Sequence, residues 1–165
     1  MATITGNAIE RKFMAHFLNA TPAETTPTFV RLGKDLTELK TELSMTVDKK
    51  VNIIGETSIK IHDRQAQSSV EPFYAEVDEP LFEWLQDLID NKGELDKLRT
   101  DYVEVHLWTG AETETSFEAI KEEVYIEITS YGGDTSGYQI PFNIHHTGRK
   151  TKGTFNVSSK TFTPN

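Results

Sequence analysis

Cysteine is absent from this chain of 165 residues. Its absence removes disulfide frameworks, cysteine zinc sites and thiol nucleophiles at once, and fits a reducing compartment. Long apolar runs are missing too. No stretch approaches the ~20 residues that span a bilayer. The opening residues, MATITGNAIERKFMAHF, carry charge through their middle instead of the apolar centre of a signal peptide. A soluble, cytoplasmically made protein is expected, and the triplets at Asn19 and Asn156 are read as chance glycosylation sequons. Repeats and low-complexity tracts are also lacking. At this length the chain reads as one domain that can bury roughly 70% of the surface its unfolded form exposes.

Basic residues are scarce where acidic ones crowd. Residues 1–70 hold 9 basic and 8 acidic side chains, residues 71–134 hold 4 and 18, and residues 135–165 hold 4 and none, within a net charge of -9. An acidic middle argues against nucleic-acid binding, because it would repel the phosphate backbone. An acidic middle and a basic end allow head-to-tail contact between copies. The plainer reading is two solvated faces.

Most of the chain carries the period-two pattern of strands. Val103, Val105 and Leu107 alternate with Tyr102, Glu104, His106 and Trp108. Val124, Ile126 and Ile128 alternate with Tyr125, Glu127 and Thr129. Tyr138, Ile140, Phe142 and Ile144 share a face, and Pro141 among them predicts an edge strand or a bulge. Leu43, Met45 and Val47 alternate earlier, as does Ile59 within Thr57 to Ile61. VDKKVNIIGE between them reads as a projecting loop or hairpin end. One segment, DEPLFEWLQDLID, has helical spacing through Leu81, Trp84, Leu85 and Leu88, with Asp78 as the expected N-cap and Gly93 as the stop. The predicted class is mainly β: a two-sheet antiparallel sandwich or rolled barrel with one flanking helix, about residues 79–91.

Three stretches invite a chemical reading. In IHHTGRKTKGTF, His145 and His146 are neighbours, so on a strand they face opposite ways and cannot clamp one ion. Arg149, Lys150 and Lys152, bracketed by Gly148 and Gly153, read as a basic strand-turn-strand tip, since a phosphate cradle would feed a helix and this run feeds another strand. YGGDTSGY has the look of a serine-nucleophile surround at Ser136, with an extra threonine inside it. Gly132, Gly133 and Gly137 are explained more simply as turn glycines. Carboxylates at 112–127 could form an acid/base pair, but a solvated strand face is the simpler account.

Together NAIERKFMAHF, FVRLGKDL, NIIGETS, SVEPFYA, DEPLFEWLQDLID and YGGDTSGYQIPFNIHHTGRKTKGTF resemble the tail tube (major tail) proteins of long, non-contractile-tailed phages and related prophages. The resemblance runs in order over nearly the whole chain. It implies a non-enzymatic, cofactor-free structural subunit of the virion tail, assembled in the host cytoplasm. It also implies homo-hexameric rings stacked into a tube for genome ejection. Tape-measure, tail terminator and baseplate proteins are the implied partners; DNA passes through without specific binding, and no membrane is involved. The alternatives are a contractile secretion-system tube, a tail terminator, a small β-sandwich or barrel hydrolase using Ser136 or a carboxylate pair, or a monomeric ligand-binding barrel.

Under that resemblance, lumen-facing candidates are Glu104, Glu118, Glu122, Glu123 and Glu127, whose charge would let DNA slide. Inter-subunit contact candidates are Asp48, Lys49, Lys50, Arg149, Lys150 and Lys152. The segment 1–28 and the loop 46–56 are expected to act as assembly arms, with ordering coupled to assembly at 20–28 and 46–56.

Overall fold

The computed structural model describes residues 6–110 and 114–165. Among these residues twelve strands and one α-helix follow in chain order. Strands β1 (Met14–Asn19), β2 (Phe29–Leu32) and β3 (Thr41–Glu42) precede a hairpin of β4 (Met45–Val51) and β5 (Thr57–Arg64). Strand β6 (Gln67–Val70), helix α1 (Pro80–Asp90), β7 (Arg99–His106) and β8 (Ser116–Ile128) come next. The chain closes with β9 (Gly132–Asp134), β10 (Gly137–Gln139), β11 (Phe142–Asn156) and β12 (Thr161–Pro164).

Eight strands form one antiparallel sheet in the order β2-β1-β7-β8-β11-β6-β3, with β12 also paired to β11. The sheet curls into a half-barrel, and the mainly-β class with a single helix is as the periodicity predicts. The curl follows from where the apolar side chains fall. In β7, Thr100 and Tyr102 are buried on one face, Val103 and Val105 on the other.

Each face therefore has its own apolar cluster. The first joins Leu18, Val70, Tyr102, Val124, Ile126, Phe142 and Ile144 beneath Leu81 and Leu85 of the helix. The second joins Phe17, Phe29, Val105, Phe117 and Phe155, with Phe162 of β12 packed against it. Phe155 lies 4.5 Å from Phe17 and 5.6 Å edge-on from Phe29, ring centre to ring centre.

Helix α1 starts one residue later than the sequence implies. Asp78 adopts a left-handed φ of 64°, and Glu79 is the cap, its carboxylate accepting the Phe82 N–H at 3.2 Å. Pro80 takes the first helical position, where its missing N–H costs nothing. Leu81, Leu85 and Leu88 are buried, as their spacing predicts. The stop is Asn91 and Lys92, the latter at φ 47°. Gly93 matters for space: a Cβ there would sit 2.3 Å from Leu88 Cδ2.

Three local expectations change. Pro141 lies between β10 and β11, at neither an edge nor a bulge. Leu107 and Trp108 leave the strand pattern for a 3-10 turn over Leu107–Thr109. Met14–Asn19, placed by the sequence inside an N-terminal arm, is instead a mostly buried strand between β2 and β7. Its alternating side chains serve both clusters, Phe17 one and Leu18 the other, which holds it in the body.

Candidate assembly interface

The loop expected at 46–56 is a long ribbon. Strands β4 and β5 pair only with each other, and every residue of both is exposed. Cross-strand partners share a face. Val47 opposes Ile61, Lys49 opposes Ile59 and Val51 opposes Thr57, so one face is largely aliphatic. The other carries Asp48 opposite Lys60 and Lys50 opposite Ser58, with His62 Nε2 2.7 Å from Asp48 Oδ2. Of the predicted contact residues, Asp48 and Lys50 thus sit on the polar face and Lys49 on the aliphatic one.

The ribbon's tip is built, not slack. Asn52 Oδ1 accepts the N–H groups of Ile54 at 3.1 Å and Glu56 at 2.9 Å. The Asn52 side-chain amide donates to Glu56 Oε2 at 2.9 Å, and Gly55 supplies the turn's positive φ of 84°. This closure turns Ile53 and Ile54 outward, 105% and 73% exposed. Ordering of this segment therefore does not depend on a partner for its hydrogen bonds.

Arg149, Lys150 and Lys152 are not at a hairpin tip. They lie along the single 15-residue strand β11, which runs through the expected turn. The register against β8 jumps between His146 and Lys150, leaving Thr147, Gly148 and Arg149 opposite Glu123 alone. Three bonds fasten this bulge. Gly148 N–H donates to Glu122 Oε1 at 2.8 Å, Thr147 Oγ1 donates to Glu123 O at 2.7 Å, and Arg149 Nη1 to Glu123 Oε1 at 2.6 Å. Gly148 adopts φ 82° to make the bulge. The sequence signal for a turn, glycine among cations, was real but marked a bulge.

The five candidate lumen carboxylates do not share a face. Register places Glu104, Glu118 and Glu122 on the helix-covered side of the sheet and Glu123 and Glu127 on the other. Four of them have cationic or imidazole partners: Glu104 with His106 at 2.8 Å, Glu122 with His146 at 3.0 Å, Glu123 with Arg149, and Glu127 with His145 at 2.6 Å. Glu122 is buried in the single chain.

On the helix side runs a polar seam, entered from the exposed Arg11 and buried at His16, Tyr102, Ser68 and Glu122, that periodicity alone could not reveal. Arg11 Nη2 donates to His16 Nε2 at 2.8 Å and to Leu39 O at 2.8 Å. A guanidinium has no acceptor, so Nε2 is unprotonated and the neutral ring's proton sits on Nδ1, facing the Tyr102 hydroxyl. Burial, then the Arg11 charge, pushes His16 down to about 4. Burial pushes the Tyr102 hydroxyl up, so it stays protonated. Thr41 Oγ1 meets Ser68 Oγ at 2.9 Å, Ser68 Oγ meets His146 Nε2 at 2.8 Å, and His146 Nδ1–H faces Glu122. Burial works against the Glu122 carboxylate, but the His146 and Gly148 hydrogen bonds outweigh it and hold the group below its usual range.

Ser68, His146 and Glu122 have the connectivity of a hydrolytic triad. Ser68 is 1% exposed, however, and its oxygen is already engaged by Thr41, so in this arrangement no substrate carbonyl reaches it. The three act as a clamp joining β6, β11 and β8. Ser136 lies exposed in the β9–β10 turn, where its N–H donates to Asp134 Oδ1 at 2.8 Å. His145 and His146 project to opposite faces of β11, as strand geometry requires. Among the described residues no group of three His, Asp or Glu side chains could hold a metal ion. No helix there is long and apolar enough to cross a membrane.

Compared with protein-family models and with curated proteins, the chain matches none.

Proposed function

We propose that this protein is a structural subunit that self-assembles into the tail tube of a long, non-contractile-tailed phage, with hexameric rings stacked around a channel for the genome. The observation that carries the reading is the amphipathic β4–β5 ribbon. An isolated two-stranded hairpin is marginal in water, and this one leaves Val47, Val51, Ile59 and Ile61 exposed along one face. Such an apolar strip is stabilised when another surface covers it. Among the described residues the sheet also has three strands with an unpaired edge, β2, β3 and β12, which ring closure could pair.

In that tube the lumen belongs to the face bearing Glu123 and Glu127. Helix α1 covers the opposite face, which also carries the exposed Lys150 and Lys152. Lysines without acid partners would hold DNA phosphates, whereas Glu123 and Glu127 are matched by Arg149 and His145. Genome passage then rests on charges already satisfied within the wall, together with the acidic excess of the chain.

Sedimentation velocity over rising concentration tests the reading. The 18.7 kDa chain should give way to a species of six copies and then to larger polymers. Replacing residues 45–64 by a short flexible link should leave only the monomer. Polymers that form equally well without the ribbon would remove its main support.

A further inference from the structure

A surface cleft of about 600 Å³ opens between the β1–β2 connection, helix α1 and the start of β7. Its apolar lining includes Pro22, Trp84 and Leu88. Four carboxylates, Glu24, Glu83, Asp87 and Asp96, line it against two cations, Lys97 and Arg99. None of the four is in an ion pair among the described residues.

The tip of the β4–β5 ribbon has the complementary character. Ile53 and Ile54 project at its end, and Lys49 and Lys50, without ion-pair partners among the described residues, project from its two opposite faces. Acidic groups line the cleft from all three of its walls, so cations on both faces of an inserted ribbon meet acid. The Asn52 clamp holds the tip in shape beforehand, which lowers the ordering cost of insertion.

The two surfaces lie at opposite ends of the sheet. The ribbon leaves from the β3–β6 edge, whereas the cleft borders β1 and β7. From this geometry we infer that the cleft beside α1 is the seat for the Ile53–Ile54 tip of a second copy, with Lys49 and Lys50 meeting its carboxylates. Resting on the self-assembly reading, this names the contact surface within it. A donor and an acceptor on different patches make a heterologous contact, which propagates into rings or filaments instead of closing a two-fold dimer.

The absence of native cysteine makes the test clean. A chain carrying Ile53→Cys and Asp87→Cys should, under mild oxidation, give a ladder of covalent dimers, trimers and higher species on a non-reducing gel. Either single variant alone should give at most a dimer. As a second readout, Lys49→Glu with Lys50→Glu should raise the concentration needed for assembly roughly ten-fold, and adding Glu83→Lys with Asp87→Lys should restore most of it. All four positions are exposed, so unchanged circular dichroism of the monomer separates assembly from folding. Normal polymers with no ladder and no charge rescue would overturn the seat while leaving self-assembly standing. A wild-type chain that never assembles would overturn both.

Discussion

At His16 a buried imidazole is kept neutral by its surroundings, and that has a measurable cost in acid. Its ring drops from the ordinary 6.5 to about 4, so between those values the unfolded chain takes up a proton that the folded one refuses. Stability is therefore complete above the upper value and is lost as pH falls toward the lower one. Between pH 7 and pH 5 this residue alone should remove about 2 kcal/mol of folding stability. Urea denaturation at the two pH values should show that loss in the parent and much less of it in His16→Gln. Equal losses in both would contradict the buried, neutral ring.

Glu122 acts with the same sign at lower pH. Its depressed pKa means that its stabilisation is present above the usual carboxylate value and fades as pH falls through the folded one. Glu122→Ala would leave the buried His146 Nδ1–H without its acceptor and would free the Gly148 amide that fastens the bulge. The expected cost is roughly 3 kcal/mol, read as a lowered melting temperature, with loss of the bulge visible in amide exchange at Gly148. A cost within ~0.5 kcal/mol, the range of an ordinary surface substitution, would show that the seam does not hold β8 to β11.

Among the elements, helix α1 and strands β7, β8 and β11 were legible from their apolar spacing, whereas β1, buried on both faces, has no single period to read. Leu85→Ala should cost about 2–5 kcal/mol, as removal of a fully buried leucine does. Unfolding curves would register it directly, and a near-neutral result would mean the helix is not seated on the sheet. Less was legible where one signal serves two geometries. Gly148 among cations reads as a turn, yet the same positive φ makes a bulge inside a continuous strand. The alternation of Met45, Val47, Ile59 and Ile61 identifies strands correctly, but cannot say that the inward face of that ribbon has nothing beneath it. Pairing across distant strands decides that, and so does the seam from Arg11 to Glu122, whose members are separated by more than a hundred positions. The lumen candidates show the same limit: period two assigns Glu122 and Glu123 to opposite faces, but only the position of the helix indicates which face is open. Ile53→Ser with Ile54→Ser should leave monomer stability within ~0.5 kcal/mol. The pair should raise the assembly concentration roughly 100-fold, since each isoleucine loses a burial gained only in the polymer.

For the whole molecule, the half-barrel, the open edges of β2, β3 and β12 and the exposed ribbon are the surfaces on which the proposed assembly rests. A second copy can supply the missing cover for each, and the donor and acceptor surfaces lie on different sides, so association should continue beyond a pair. The most direct measurement is negative-stain electron microscopy of the purified protein over a concentration series. Rings and hollow filaments with an axial channel are the expected result. Particles of monomer size at every concentration, with the ribbon's amides as protected from exchange as those of the sheet, would contradict self-assembly, because the exposed apolar face would then be stable without a partner.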